Sequence, residues 1–226
     1  MQLRAAPVEK VLALRLAHAP SVPGLIVNDC FALLNEPRRP WLDPEKLKQK
    51  FLTLSTQLHP DRAHALSQSE KLEPQNPYAE INAAYNLLRD PKERLLHFLQ
   101  LELGEKPKDV QRIPPDLISI FNEINHMCRQ ADALLAEKSA VTSPMLMVQM
   151  FDKSQECTEK LAVLQGKVIS ERETLLEQVR KIDSEWNIAS AERVPMLQRL
   201  EELYRLLSYF SRWSNQLQER IVRLAL

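Results

Sequence analysis

The sequence predicts an all-helical protein, on three observations. Apolar residues recur at spacings of three and four, the period of an amphipathic helix. Gly accounts for only 3 of 226 residues and aromatics for 6%, which disfavours sheets and Gly-rich phosphate loops. The 15 prolines divide the chain into the segments that carry this period.

Charge narrows the function classes. Thirty Lys and Arg balance thirty Asp and Glu, and the isoelectric point is near 7.0. A general nucleic-acid binder carries a basic excess, so none is expected here. No apolar run reaches the 18 or so residues of a membrane span, so no membrane partner is expected. Cys30, Cys128 and Cys157 lie far apart, without a CxxC pair or zinc spacing. An odd cysteine count points to a reducing, cytoplasmic compartment. Arg4, Lys10 and Arg15 against Glu9 leave the mitochondrial matrix as the alternative.

In chain order, residues 1–27 read as an N-terminal arm with a possible short helix, ended by Pro20, Pro23 and Gly24. Asp29 to Leu34 is a short apolar segment closed by Pro37 to Pro40. Asp43, Pro44 and Glu45 form a helix start: a cap, a first-turn proline and an acid at the positive dipole end. Leu47, Phe51, Leu54 and Leu58 then share one face. Lys46, Lys48 and Lys50 lie off it, and residues 38–50 hold five basic against two acidic side chains. This helix stops at His59-Pro60-Asp61. A polar loop from Arg62 to Pro77 leads to a helix carrying Ile81, Ala84, Tyr85 and Leu88, ended by Asp90-Pro91. The next, Lys92 to Leu103, stops at Gly104 as a C-cap.

Residues 105–115, with Pro107, Pro114 and Pro115, read as a linker between domains at 28–104 and 116–226. Beyond it Asp116 can cap a helix bearing Leu117, Phe121, Ile124, Cys128 and Leu135. Ser143-Pro144 opens a long helix to about Trp186, with Leu161, Leu164, Val168, Leu175, Val179 and Ile182 inward. A third begins near Pro195, with Met196, Leu200, Leu203, Leu207, Phe210, Leu217, Ile221 and Leu224 near a heptad rhythm. Three long amphipathic helices with short connections predict an antiparallel three-helix bundle.

His59-Pro60-Asp61 arises by chance in about one chain of this composition in a hundred. Here it follows a lysine-bearing helix and precedes Ile81, Asn82, Ala84, Tyr85, Leu88, Asp90 and Pro91. This arrangement resembles the J-domain, a helical hairpin with an HPD loop by which co-chaperones act on DnaK-type ATPases. Asp29 to Leu34 is similar to the D-x-F-x-L opening of HscB (Jac) co-chaperones. Nineteen residues separate Asp61 from Ile81, a loop length typical of that subfamily. The segment from Lys92 to Leu101 is similar to its fourth helix. The Glu123 to Asn125 and Leu207 to Ser211 segments are similar to its first and last C-terminal helices. Asn35 stands where that family has Gly, Asn122 where it has an apolar residue, and residues 1–27 have no counterpart.

The resemblance implies a co-chaperone, not an enzyme, that stimulates a DnaK/HscA-type chaperone and delivers an IscU-type iron–sulfur scaffold to it for cluster transfer. His59, Pro60 and Asp61, with Lys46, Lys48, Lys50 and Arg62, are its implied chaperone-binding residues. Leu117, Ile118, Phe121 and Tyr209 are the implied scaffold-binding residues. Ile118 stands one residue off the core stripe, whereas Leu117 and Phe121 sit at core spacing. No cofactor or metal is implied, because the sequence shows no nucleophile–base pair, metal set or phosphate loop. His64 and His97 read as surface or helix-packing residues. The alternatives are a J-domain co-chaperone for another client, a helical adaptor with a degenerate J-domain, and an enzyme using Cys128 or Cys157.

Overall fold

The computed structural model describes residues 28–58, 77–107, 113–186 and 193–226. All regular elements among them are helices. The structure divides into two compact units. The first comprises the described residues up to Pro107 together with Val179–Glu201, and the second Lys108–Gln178 with Glu202–Leu226.

In the first unit, α1 (Cys30–Leu33) is capped by Asp29, whose carboxylate accepts from the N–H groups of Phe31 (3.0 Å) and Ala32 (3.3 Å). The chain then turns at Asn35 with φ 55°, the left-handed region that a glycine enters without strain. α2 (Pro44–Leu58) starts as the sequence predicts, with Asp43 accepting from the N–H groups of Glu45 and Lys46 at 3.0 and 3.1 Å. α3 (Pro77–Arg89) packs against α1, α2 and α4 (Pro91–Leu103). Asp90 caps α4, and Gly104 ends it at φ 75° with its N–H bonded to Gln100.

The core of this unit joins Phe31 and Leu34 to Leu47, Ile81, Leu88, Leu95, Phe98 and Leu99, all fully buried. Each such side chain contributes about 1.5–3 kcal/mol. Arg94 is buried among them. Its guanidinium donates to the carbonyls of Leu88 (2.9 Å) and Pro40 (3.3 Å), tying the end of α3 to the loop before α2. Burial pulls its pKa down to about 10, against the opposing influence of Asp90 and Asp183.

In the second unit a 3₁₀ turn, Pro115–Leu117, leads into α5 (Ile118–Ala140). Asp116 was expected to cap this helix; it lies inside the turn, and Leu117 is the N-cap with no side-chain bond. Pro114 and Pro115 fix the backbone there, and the Leu117 N–H closes the turn on the Pro114 carbonyl. α6 (Pro144–Glu185) and α7 (Arg193–Ala225) follow.

Phe121 meets Trp213, Asp132 meets Arg220, and Lys138 meets the Leu224 carbonyl. Rising numbers on both sides mean that α5 and α7 run in the same direction. Lys167 meets Glu123 and Gln165 meets Gln218, so α6 touches both neighbours.

The expected boundaries placed all of 116–226 in one bundle, whereas Val179–Glu201 groups with the first unit. The cause is a set of long-range contacts. Asp183 binds Arg39 and the Trp41 N–H, Arg180 lies over the Trp41 ring at 4.9 Å, and Trp186 meets Phe98 edge-on at 5.0 Å. Asp183 is buried, while Ile182, expected inward, is half-buried.

Candidate functional site

His59, Pro60, Asp61 and Arg62 lie outside the described residues, as do the 1–27 arm and His64. The helices on either side of residues 59–76 are described, and they pack on each other through Phe51 and Tyr85, stacked at 4.1 Å and 9°. Along α2, Lys46 and Lys48 are exposed and meet no carboxylate among the described residues. Lys50 differs. Its ammonium donates to the Asn35 carbonyl (2.7 Å) and pairs with Glu36 (2.9 Å). It fastens the left-handed turn after α1, a role that sequence reasoning did not give it.

The second candidate surface lies at the start of α5. Ile118 is 47% exposed, whereas Leu117 and Phe121 are half-buried. Tyr209, on α7, is half-buried as well. Phe121 and Tyr209 both lean on Trp213, with ring centroids 6.2 and 5.8 Å from it. Phe210 meets the same indole edge-on at 5.3 Å. Trp213 is buried, so it is the base on which the two exposed-side rings rest. Sequence reasoning missed Trp213, which stands among the inward positions of α7 and is hard to tell from ordinary core. Asn122 is exposed beside Ile118 and interrupts the apolar face.

A further apolar stretch escaped the sequence reading. Met145, Leu146, Met147, Val148 and Phe151, in the first two turns of α6, are all exposed. Four consecutive apolar residues there are the signal that could have marked it.

Burial pushes the Cys30 thiol up to about 11, helped by Asp29, and also raises Cys128 and Cys157. None is an activated thiolate. His97 is buried and stacks on Phe31 at 5.7 Å, a packing residue as the sequence suggested. No group of three His, Cys, Asp or Glu side chains that could hold a metal occurs among the described residues. No helix among them is long and apolar enough to cross a membrane.

The DnaJ domain model matches residues 29–97, from the cap of α1 into α4. The chain is 30% identical over 99 residues to the co-chaperone protein HscB homolog of Mannheimia succiniciproducens, covering 43% of this chain and 57% of that protein. It is 27% identical over 128 residues to the co-chaperone protein HscB of Proteus mirabilis, covering 54% and 74% of the two. The match thus spans little over half the length of the first of these relatives. The chaperone HscB from Vibrio cholerae superposes with a TM-score of 0.53 at 19% identity, covering 84% of this chain and 96% of that one. That likeness concerns the fold.

Proposed function

We propose, from the premise that this chain is a J-domain co-chaperone of the HscB type, that it stimulates ATP hydrolysis by a DnaK/HscA-type chaperone and presents an IscU-type scaffold protein to it. The observation that carries the reading is an HPD sequence set between two helices that pack on each other inside a matched DnaJ domain.

The chaperone-facing role follows from the chemistry of the residues. Lys46 and Lys48 offer two cations to an acidic surface of the ATPase and raise the encounter rate. Lys50 is the third member of that set, and its ammonium is already held by Glu36 and Asn35. Pro60 removes one backbone torsion from the HPD sequence. Asp61 accepts charge-assisted hydrogen bonds from a cation on the chaperone, with His59 and Arg62 beside it. These contacts favour the partner conformation that hydrolyses ATP, a shift of population with no proton or covalent step on this chain.

Leu117, Ile118, Phe121 and Tyr209 form the scaffold-facing surface. Ile118 supplies exposed apolar area, and Trp213 beneath keeps Phe121 and Tyr209 in place, the arrangement expected of a binding patch. The cluster is cargo on the scaffold, so no resident cofactor is required.

The test is the steady-state ATPase rate of the partner chaperone with this protein and with a scaffold, separately and together. Synergy is the expected result. Stimulation indifferent to the scaffold would assign the chain another client. No stimulation would leave a helical adaptor.

A further inference from the structure

We propose that His97 is an acid-sensitive latch for the first helix: its neutral ring holds α1 in place, and protonation releases it.

The Asp29 side chain takes the N–H groups of Phe31 and Ala32, and the Asp29 carbonyl takes that of Leu33 at 3.1 Å. The N–H of Cys30, the first helical residue, is left over. It donates to Nε2 of His97, on α4, at 3.1 Å. Every early donor of the helix is thereby satisfied, one of them by a residue 67 positions away. The same imidazole lies flat against Phe31, with 15° between the planes. His97 thus holds α1 by both main chain and side chain.

An imidazole accepts at Nε2 only when that nitrogen carries no proton, so His97 is neutral with its hydrogen on Nδ1. A second proton turns the acceptor into a donor. Two N–H groups then face each other at the positive end of a helix, in a site that is 3% exposed.

The charges that act on the ring come from α1 and the segment after it. Asp29 favours the cation and Arg38 opposes it. These two bond to each other at 2.7 Å and offset one another. Burial is the larger influence, and it holds His97 below the usual histidine range.

The sign follows. The unfolded chain takes up its proton near 6.5, the native ring only at lower pH. Between those values the unfolded state binds one more proton. The unfolding constant therefore rises by up to about tenfold for each unit that pH falls, with no contribution from His97 above that window. Lys50 holds Asn35 and Glu36, which follow α1, through bonds that do not involve His97.

The test is an NMR titration of the whole chain from pH 8 to pH 5. Expected are a ring nitrogen shift for unprotonated Nε2 at neutral pH and a His97 midpoint below 6.5. Between 6.5 and that midpoint the Leu33 and Leu34 amides should lose exchange protection by up to about tenfold for each unit that pH falls, while Leu54 and Leu88 keep theirs. A His97 midpoint at or above 6.5, or flat protection through the titration, overturns the proposal. His97→Gln offers a carboxamide oxygen to the Cys30 N–H and does not titrate. Its α1 amides should be insensitive to pH, and a persisting dependence would also overturn it. Should that variant fail to fold, the wild-type titration alone decides.

Discussion

Asp183 holds Arg39 with both its side chain and its main chain. The carboxylate takes the guanidinium at 3.1 Å and the carbonyl takes it at 2.7 Å, across 144 residues of sequence. The Trp41 N–H fills the same carboxylate oxygen at 3.3 Å. This joins the end of α6 to the loop that delivers α2.

Removing that carboxylate leaves the Trp41 N–H without its acceptor and the half-buried Arg39 guanidinium with the Asp183 main-chain carbonyl alone. Asp183→Ala should lower stability by about 2 kcal/mol, and Asp183→Asn, which keeps an acceptor, by about half as much. Urea denaturation followed by tryptophan fluorescence checks this, since Trp41 and Trp186 sit at the contact. An Asp183→Ala variant as stable as wild type would show that the linkage contributes nothing.

Asn35 adopts φ 55°, where a side chain with a β-carbon is strained and a short polar one is tolerated. Asn35→Ala should cost about 1 kcal/mol, while Asn35→Gly should stay within roughly 0.5 kcal/mol of wild type. Denaturation midpoints distinguish the two. Equal losses would mean that the Asn side chain, and not the backbone angle, carries the position.

Ile118→Ala removes exposed apolar area and should weaken scaffold binding about five- to tenfold, with less than about 0.5 kcal/mol lost in stability. Trp213→Ala excavates the base of the same surface and should cost about 3–5 kcal/mol. Calorimetry and thermal melts on both variants read the difference. Unchanged affinity for Ile118→Ala would move the scaffold site elsewhere.

His59→Gln should abolish ATPase stimulation and leave the circular dichroism spectrum and melting temperature unchanged. Lys46→Ala with Lys48→Ala should slow association several-fold at low salt, an effect that shrinks as ionic strength rises. Full stimulation by His59→Gln would remove the HPD sequence from the mechanism.

The helices were legible because their signals are local. Asp43-Pro44, Asp90-Pro91 and Gly104 mark ends through main-chain chemistry within four residues. Leu47, Ile81, Ala84 and Leu88 mark faces through a period that any segment displays alone. The pairings were not legible. Nothing near Asp183 announces Arg39, and nothing near His97 announces the Cys30 N–H, because such bonds depend on which segments the fold brings together. Trp213 was hidden for the opposite reason: it obeys the core pattern so well that its service to Phe121 and Tyr209 leaves no separate trace. The exposure of Ile118 was legible from a single-residue offset, since 100° of rotation per residue carries a side chain off the buried face.

The three lysines of α2 look interchangeable in a string of letters, but an acylating reagent would tell them apart. Lys46 and Lys48 are exposed and pair with no carboxylate among the described residues, so a reagent meets them directly. Lys50 must first leave Glu36 and the Asn35 carbonyl. Acylation at the first two erases charge from a surface and leaves the fold alone. At Lys50 the same acyl group undoes the fastening of a strained turn, so its mark is read in the architecture as well as in the charge.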